Sequence, residues 1–333
     1  MFEGKKVLIT GGTGSLGRAL AKRLLEQNVK VIRIFSRNES SQINMQSEFN
    51  DERLRYFIGD VRDLPRLIKS MEDVDIVFHA AALKHVPVVE YNPFEAIKTN
   101  VLGSQNVIDA SLHENVELVV CVGTDKAVSP LNTYGATKLL MEKLFVTASN
   151  YINPEKHRTR FIAVRYGNVL GSSGSVVPIF IKQLQDGKKI TITDPAMTRF
   201  NITMNQALDF ILRSLKKGKG GEVFVPKLKA YKLGDLKDVL VDLLKKNTQT
   251  EIISVRPGEK YHESLISNDE IRNTFEDKDD YVILENRVRE ESEIIPNLKR
   301  TTLKEQYSSD KVELLTKEEL KQILLREKIL SIK

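Results

Sequence analysis

One cysteine, Cys121, occurs among 333 residues. That excludes an internal disulfide and fits a cytosolic setting. Its neighbours in the run from Leu118 to Val122 are apolar, so a buried strand thiol is expected. No apolar run approaches the roughly 20 residues needed to span a bilayer. The opening Met1-Phe2-Glu3-Gly4-Lys5-Lys6 runs straight into a strand and lacks the shape of a signal peptide. A soluble chain with no membrane partner is therefore expected. His79, His85 and His262 show no metal-ligand spacing, and no metal is expected. Zinc-finger spacing and other nucleic-acid motifs are missing, as are repeats and low-complexity tracts, so no nucleic-acid partner is expected either.

What is present is the balance of an ordinary globular protein, 41% hydrophobic and 29% charged. The length allows one large domain or two closely joined ones. The net charge is +6. Basic and acidic residues are interleaved, especially after residue 285, which reads as a solvated mixed-charge surface.

Short apolar runs alternate with helical periodicity. Strands are expected at Val7–Thr10, Val31–Phe35, Leu54–Ile58, Asp75–His79, Leu118–Val122, Phe161–Val164 and Glu222–Val225. Helices are expected over Asn100–His113 and Gly135–Tyr151, among others. The alternation predicts an α/β fold, a Rossmann-type doubly wound parallel sheet with a smaller C-terminal substrate-binding domain. The expected division is a dinucleotide-binding domain over 1–165, with a strand near 221–226 returning to it, a substrate-binding domain over 166–290, and a C-terminal helical tail over 291–333. Residues 171–175 read as a flexible loop. In the tail, Thr316 and Glu319 form a capping box opening a helix to Leu330, for packing or for a partner contact.

Gly11-Gly12-Thr13-Gly14-Ser15-Leu16-Gly17 follows a strand and opens a helix. Glycines at 11, 14 and 17 allow close backbone approach to a pyrophosphate at the helix N-terminus. The second strand ends Ser36-Arg37-Asn38, where an NAD site usually carries an acid. Arg37 offers a planar fork to a 2′-phosphate, so NADP is the expected cofactor. Glu39 keeps NAD as the lesser option. Asp60 and Val61 are placed at the adenine, and Ala80, Ala81 and Ala82 are small enough to lie along the cofactor. Lys84 is assigned to the sugar or to the cofactor amide, and Asn100 completes the cofactor set.

Tyr134 and Lys138 stand i, i+4 on a predicted helix and share a face. An ammonium and the positive nicotinamide would favour the phenolate and make Tyr134 a base near neutral pH. With Thr124 after the fifth strand, this constellation resembles the short-chain dehydrogenase/reductase family. The resemblance goes further. Ala82-Leu83-Lys84-His85-Val86-Pro87, Gly123-Thr124-Asp125-Lys126-Ala127, Arg165-Tyr166-Gly167-Asn168-Val169, Gly174-Ser175-Val176-Val177-Pro178 and Met197-Thr198-Arg199-Phe200 together resemble the inverting UDP-N-acetylglucosamine 4,6-dehydratases of pseudaminic-acid and related pathways. The likeness runs over about residues 4–266. Retaining hexose dehydratases carry Asp-Glu where this chain has Asp125-Lys126. A membrane-anchored relative group has methionine at the position of Tyr134.

The resemblance implies the following chemistry. Tyr134 takes the C4 hydroxyl proton as C4 is oxidised. Lys126 removes the C5 proton, Asp125 protonates the departing C6 hydroxyl, and C5 is reprotonated from the opposite face. Thr124 and Lys138 complete the catalytic set. Lys84, Asn168, Val176, Arg199, Arg256 and Glu259 form the expected substrate set, with the arginines placed against the diphosphate. A homo-oligomer is implied, with a hexamer among its forms. Two other readings stay open: a UDP-sugar 4-epimerase or reductase, which eliminates no water, and a non-catalytic NADP-binding regulator. Product mass separates dehydratase from epimerase.

Overall fold

The computed structural model describes every residue except 154, 173, 247, 285–294, 296, 332 and 333. Ser173 of the expected loop and the junction at 285–294 thus lie outside the described residues. The first half of the chain alternates as expected. In order come β1 (Lys6–Thr10), α1 (Ser15–Leu25), β2 (Val31–Ser36), α2 (Glu39–Phe49), β3 (Leu54–Ile58), α3 (Leu64–Met71) and β4 (Ile76–His79). Two short helices, α4 (Val86–Tyr91) and α5 (Pro93–Ala96), lead through a π-helical turn (Ile97–Leu102) into α6 (Gly103–His113). Then follow β5 (Leu118–Val122), a 3₁₀ turn (Asp125–Ala127), α7 (Thr133–Tyr151) and β6 (Arg160–Val164).

The second half mixes its elements. These are α8 (Val176–Gln185), β7 (Ile190–Ile192), β8 (Thr198–Phe200), α9 (Met204–Lys217), β9 (Glu222–Pro226), β10 (Ala230–Lys232), α10 (Leu233–Leu244), β11 (Thr250–Ile252) and β12 (Ser264–Ile266). The chain closes with β13 (Thr274–Glu276), β14 (Asp280–Leu284), β15 (Lys299–Arg300), β16 (Tyr307–Ser308) and α11 (Lys317–Arg326).

Ten strands form the central sheet in the order β15-β13-β14-β9-β6-β5-β4-β1-β2-β3. From β9 to β3 every pairing is parallel. Parallel strands are covered on both faces, which is why β5 is a continuous apolar run with all five residues buried. Val7 and Ile9 enter one core layer and Leu8 the other. β9 joins beside β6 as the returning strand expected near 221–226.

The far edge departs from expectation. β14, β13 and β15 add to β9 antiparallel, so residues 274–284 extend the central sheet although they were assigned to the substrate-binding part. The tail is not simply helical either. β15 completes the sheet edge, and β16 pairs with β12. The expected helix from Thr316 is shorter, ending at Arg326, with the capping box of Thr316 and Glu319 formed. Its Leu320 and Leu324 are buried in a third core cluster with Phe180, Leu236 and Leu240. The tail helix therefore packs within the chain. Phe180 and Leu233 of that cluster line a cleft together with Thr124 and Lys126, which follow β5.

Candidate active site

Two clefts meet at the carboxyl ends of β1, β4 and β5. The first, about 500 Å³, runs from Arg37 and Asp60 past the glycine loop to Tyr134 and Lys138. Its shape demands glycine at two places. Gly11 has φ +67°, and a Cβ on it would lie 2.9 Å from the Ala81 nitrogen. A Cβ on Gly17 would lie 2.5 Å from the Gly12 Cα, so the α1 helix sits directly on the loop. The first turn of α1 carries no acidic residue, which leaves its N-terminus open to an anion. This cradle of bare backbone at a helix start fits a dinucleotide pyrophosphate.

Thr13, Gly14, Ser15, Leu16, Ser36, Arg37, Asn38, Asp60, Val61, Ala80, Ala81, Ala82 and Lys84 all line the first cleft. The Arg37 guanidinium is 3.8 Å from Asp60 and just over half exposed. Two expected cofactor residues are absent from the lining. Glu39 is exposed at the first position of α2. Asn100 is fully buried. Its carbonyl oxygen accepts from the Leu83 N–H at 2.8 Å, and its amide donates to Leu83 O and Thr137 Oγ1, each at 3.0 Å. Asn100 thus shapes the cleft wall at Leu83, because a buried amide must satisfy its own donors and acceptor.

The second cleft, about 860 Å³, shares Lys84, His85, Thr124, Tyr134, Asn168 and Ser172 with the first. Val176, Arg199, Arg256 and Glu259 of the expected substrate set line it. Arg256 is exposed. Arg199 is buried and donates to the carbonyl oxygens of Thr198 and Tyr261 at 2.8 and 3.0 Å, with Glu259 3.5 Å away.

Tyr134 lies where the clefts join. Asn132 caps α7, its side chain accepting from the Gly135 N–H at 2.8 Å, which starts the helix that carries Tyr134 and Lys138. Both residues are buried. Burial raises the Tyr134 pKa; the positive charge of Lys126 is the largest opposing influence, and the Thr124 hydroxyl also supports the phenolate. Lys138, expected to act on the phenol from its i, i+4 position, lines the first cleft with Tyr134. Lys138 donates to the Val122 carbonyl at 2.7 Å, and burial lowers its pKa to about 8.

Lys126 is the hub of the polar cluster. Its ammonium donates to Asp125 Oδ1 at 3.0 Å and to Asn168 Oδ1 at 3.1 Å, and lies 3.5 Å from Glu263 Oε1. These three acceptors match its three N–H donors. Burial opposes the charge on Lys126, but the carboxylates of Asp125 and Glu263 outweigh it and its pKa is raised. Asp125 also accepts from the Thr124 hydroxyl at 2.9 Å. Burial pushes the Asp125 pKa up, aided by Glu263 and opposed by Lys126. Asn168, of the expected substrate set, lines both clefts, and its carbonyl oxygen accepts from Lys126.

Glu263 was not singled out in the sequence. It ends the stretch Arg256-Pro257-Gly258-Glu259-Lys260-Tyr261-His262-Glu263, and the available signal was an acid set directly before the buried Ser264-Leu265-Ile266 strand. Among the described residues, no group of three or more His, Cys, Asp or Glu side chains could hold a metal ion. No helix there is long and apolar enough to cross a membrane.

The model of a family described as "Polysaccharide biosynthesis protein" matches residues 7–285. A UDP-N-acetylglucosamine 4,6-dehydratase (inverting) of Campylobacter jejuni is 50% identical over 285 residues, 85% of this chain and 84% of that protein. A UDP-glucose 4-epimerase of Rickettsia massiliae is 41% identical over 331 residues, 98% of this chain and 96% of that one. The X-ray structure of Pen from Bacillus thuringiensis superposes with a TM-score of 0.91 at 42% identity, covering 99% of both chains.

Proposed function

Since this chain belongs to the polysaccharide biosynthesis protein family, we propose that it is a C5-inverting UDP-N-acetylglucosamine 4,6-dehydratase. Its product on this reading is UDP-2-acetamido-2,6-dideoxy-β-L-arabino-hex-4-ulose. The observation that carries the reading is the Asp125–Lys126 pair beside Tyr134, with the carboxylate buried and the ammonium partly exposed to the cleft. A 4-epimerase needs no acid and base for losing water, so a hydrogen-bonded acid–base pair of this kind favours the dehydratase over the epimerase that one relative's name suggests.

The cofactor on this reading is NADP, held by the loop Gly11–Gly17, by Arg37 at the 2′-phosphate and by Lys138 near the nicotinamide ribose. When bound, it supplies the oxidation at C4 and the later reduction at C6, and it ends unchanged. Tyr134 accepts the C4 hydroxyl proton. Elimination then needs a neutral Lys126 and a protonated Asp125. Both forms arise from the resting pair by moving one proton along their 3.0 Å hydrogen bond. Lys126 next takes the C5 proton, while Asp125 gives its proton to the departing C6 hydroxyl. That leaves Lys126 charged and Asp125 ionised, as at rest, so the protons balance. A solvent proton delivered to C5 from the face opposite Lys126 inverts the centre, and Tyr134 returns the C4 hydroxyl proton to solvent, which closes the balance.

Arg256, exposed on the cleft, is the proposed diphosphate partner, and Lys84 reaches both clefts. A cytoplasmic homo-oligomer belongs to the same reading. The exposed apolar side chains Val88, Tyr91, Phe94 and Leu102 offer a surface suited to association.

The test is incubation with UDP-N-acetylglucosamine in heavy water, followed by mass spectrometry and proton NMR. A product lighter by one water, deuterated at C5 and with L-arabino geometry, supports the proposal. An isobaric product replaces it with an epimerase.

A further inference from the structure

Glu263 is 3% exposed, yet its Oε2 oxygen has no hydrogen-bond partner among the described residues. A buried carboxylate oxygen left unpaired costs free energy, and such atoms call for an explanation. The Glu263 side chain lines the second cleft together with Lys126, Asn168 and Arg199. The other oxygen is engaged, with Lys126 Nζ at 3.5 Å and Arg199 Nε at 3.9 Å. With these cations beside it and Lys260 nearby, Glu263 stays ionised, its pKa lowered against the effect of burial.

The backbone of Glu263 is fixed from the far end of the chain. Its N–H donates to Ser309 Oγ at 3.0 Å, and its carbonyl accepts from the Ser309 N–H at 2.8 Å. Ser309 Oγ is also 2.7 Å from Thr198 Oγ1, which is 2.8 Å from His262 Nδ1. A carboxylate held this rigidly, with one oxygen unused, is a preorganised acceptor.

We infer that Glu263 is a substrate-binding residue whose free Oε2 oxygen accepts a hydrogen bond from an O–H or amide N–H donor of the sugar. The inference rests on the nucleotide-sugar reading above. Oε1 meanwhile holds Lys126 opposite Asp125, so one side chain ties sugar recognition to the proton-transfer pair. An ionised carboxylate repels the anionic diphosphate, so the gain belongs to the donors of the sugar.

The test compares affinities for UDP and UDP-N-acetylglucosamine by calorimetry on the dinucleotide-loaded protein. A Tyr134→Phe background keeps the ligand intact, and thermal melting checks that Glu263→Gln folds. Glu263→Gln is expected to weaken UDP-N-acetylglucosamine by about 10-fold or more, leaving UDP within about two-fold. Equal loss for both ligands, or loss for neither, overturns the assignment. The dehydratase reading fails separately, when the unsubstituted chain releases no product one water lighter.

Discussion

A Cβ on Gly135 would lie 2.2 Å from the carbonyl oxygen of Lys126. The start of the helix carrying Tyr134 therefore rests against the backbone of the turn carrying Asp125 and Lys126. A backbone oxygen cannot swing aside as a side chain can. Gly135→Ala must push the two segments apart, at a cost of about 1–3 kcal/mol in stability. A shift near 1 Å in the relation of Tyr134 to Lys126 costs about 100-fold in turnover. Thermal melting together with steady-state kinetics checks both numbers; an alanine variant with unaltered kcat would show the contact to be unimportant.

Removing either member of the proton pair separates oxidation from elimination. Asp125→Asn and Lys126→Met are each expected to lower formation of the dehydrated product by at least about 100-fold. Tyr134 remains, so oxidation at C4 still proceeds, more slowly in Lys126→Met where the charge favouring the phenolate is gone, and reduced dinucleotide builds up on adding the sugar nucleotide. Rapid-mixing absorbance at the reduced-nicotinamide band reads this directly. Parent-like product formation in either variant removes that residue from the elimination step.

On the NADP reading, Arg37 is expected to set the preference between the two dinucleotides. Arg37→Ala deletes a charge-assisted partner for the 2′-phosphate, so NADP affinity falls by about 10-fold or more while NAD affinity holds. Calorimetric titration with each dinucleotide decides it. A parallel loss for both would mean that Arg37 does not distinguish them.

His79 makes the fold sensitive to acid. It is fully buried between Thr10 Oγ1 at 2.8 Å and Ser104 Oγ at 2.9 Å, and stacks on Phe145. Burial, with the charge of Lys138, lowers its pKa from 6.5 to about 3. Between those values the unfolded chain binds the extra proton. Stability from this group is therefore complete above about pH 6.5 and is lost towards pH 3, at up to about 1.4 kcal/mol per pH unit. His79→Asn is expected to be less stable at neutral pH but to show a shallower fall on acidification in urea titrations. A slope equal to the parent's would place the acid sensitivity elsewhere.

Much of this architecture can be read locally. The glycine loop, the strands and the Tyr134–Lys138 helix are short-range patterns in which each residue's neighbours state its environment. Asp125 and Lys126 are adjacent in sequence and remain adjacent in space. What escaped the reading is long-range. Glu263 reaches Lys126 from the residue just before β12, and the amide of Asn100, a ligand contact by its position in the sequence, serves Leu83. The strand addition β14-β13-β15 carries no local sign of which sheet it joins, because antiparallel edge pairing depends on partners far along the chain.

The clasp between Glu263 and Ser309 spans 46 residues, and it also orders events in time. As the chain leaves the ribosome, strands β1 to β9 are available early, and N-terminal units fold first. The dinucleotide cleft can thus form while the last quarter is still being translated. The sugar cleft must wait, because Ser309 and the α11 residues Leu320 and Leu324 that brace it are among the last to emerge. A nascent chain stalled before Ser309 would hold its dinucleotide without a finished place for the sugar.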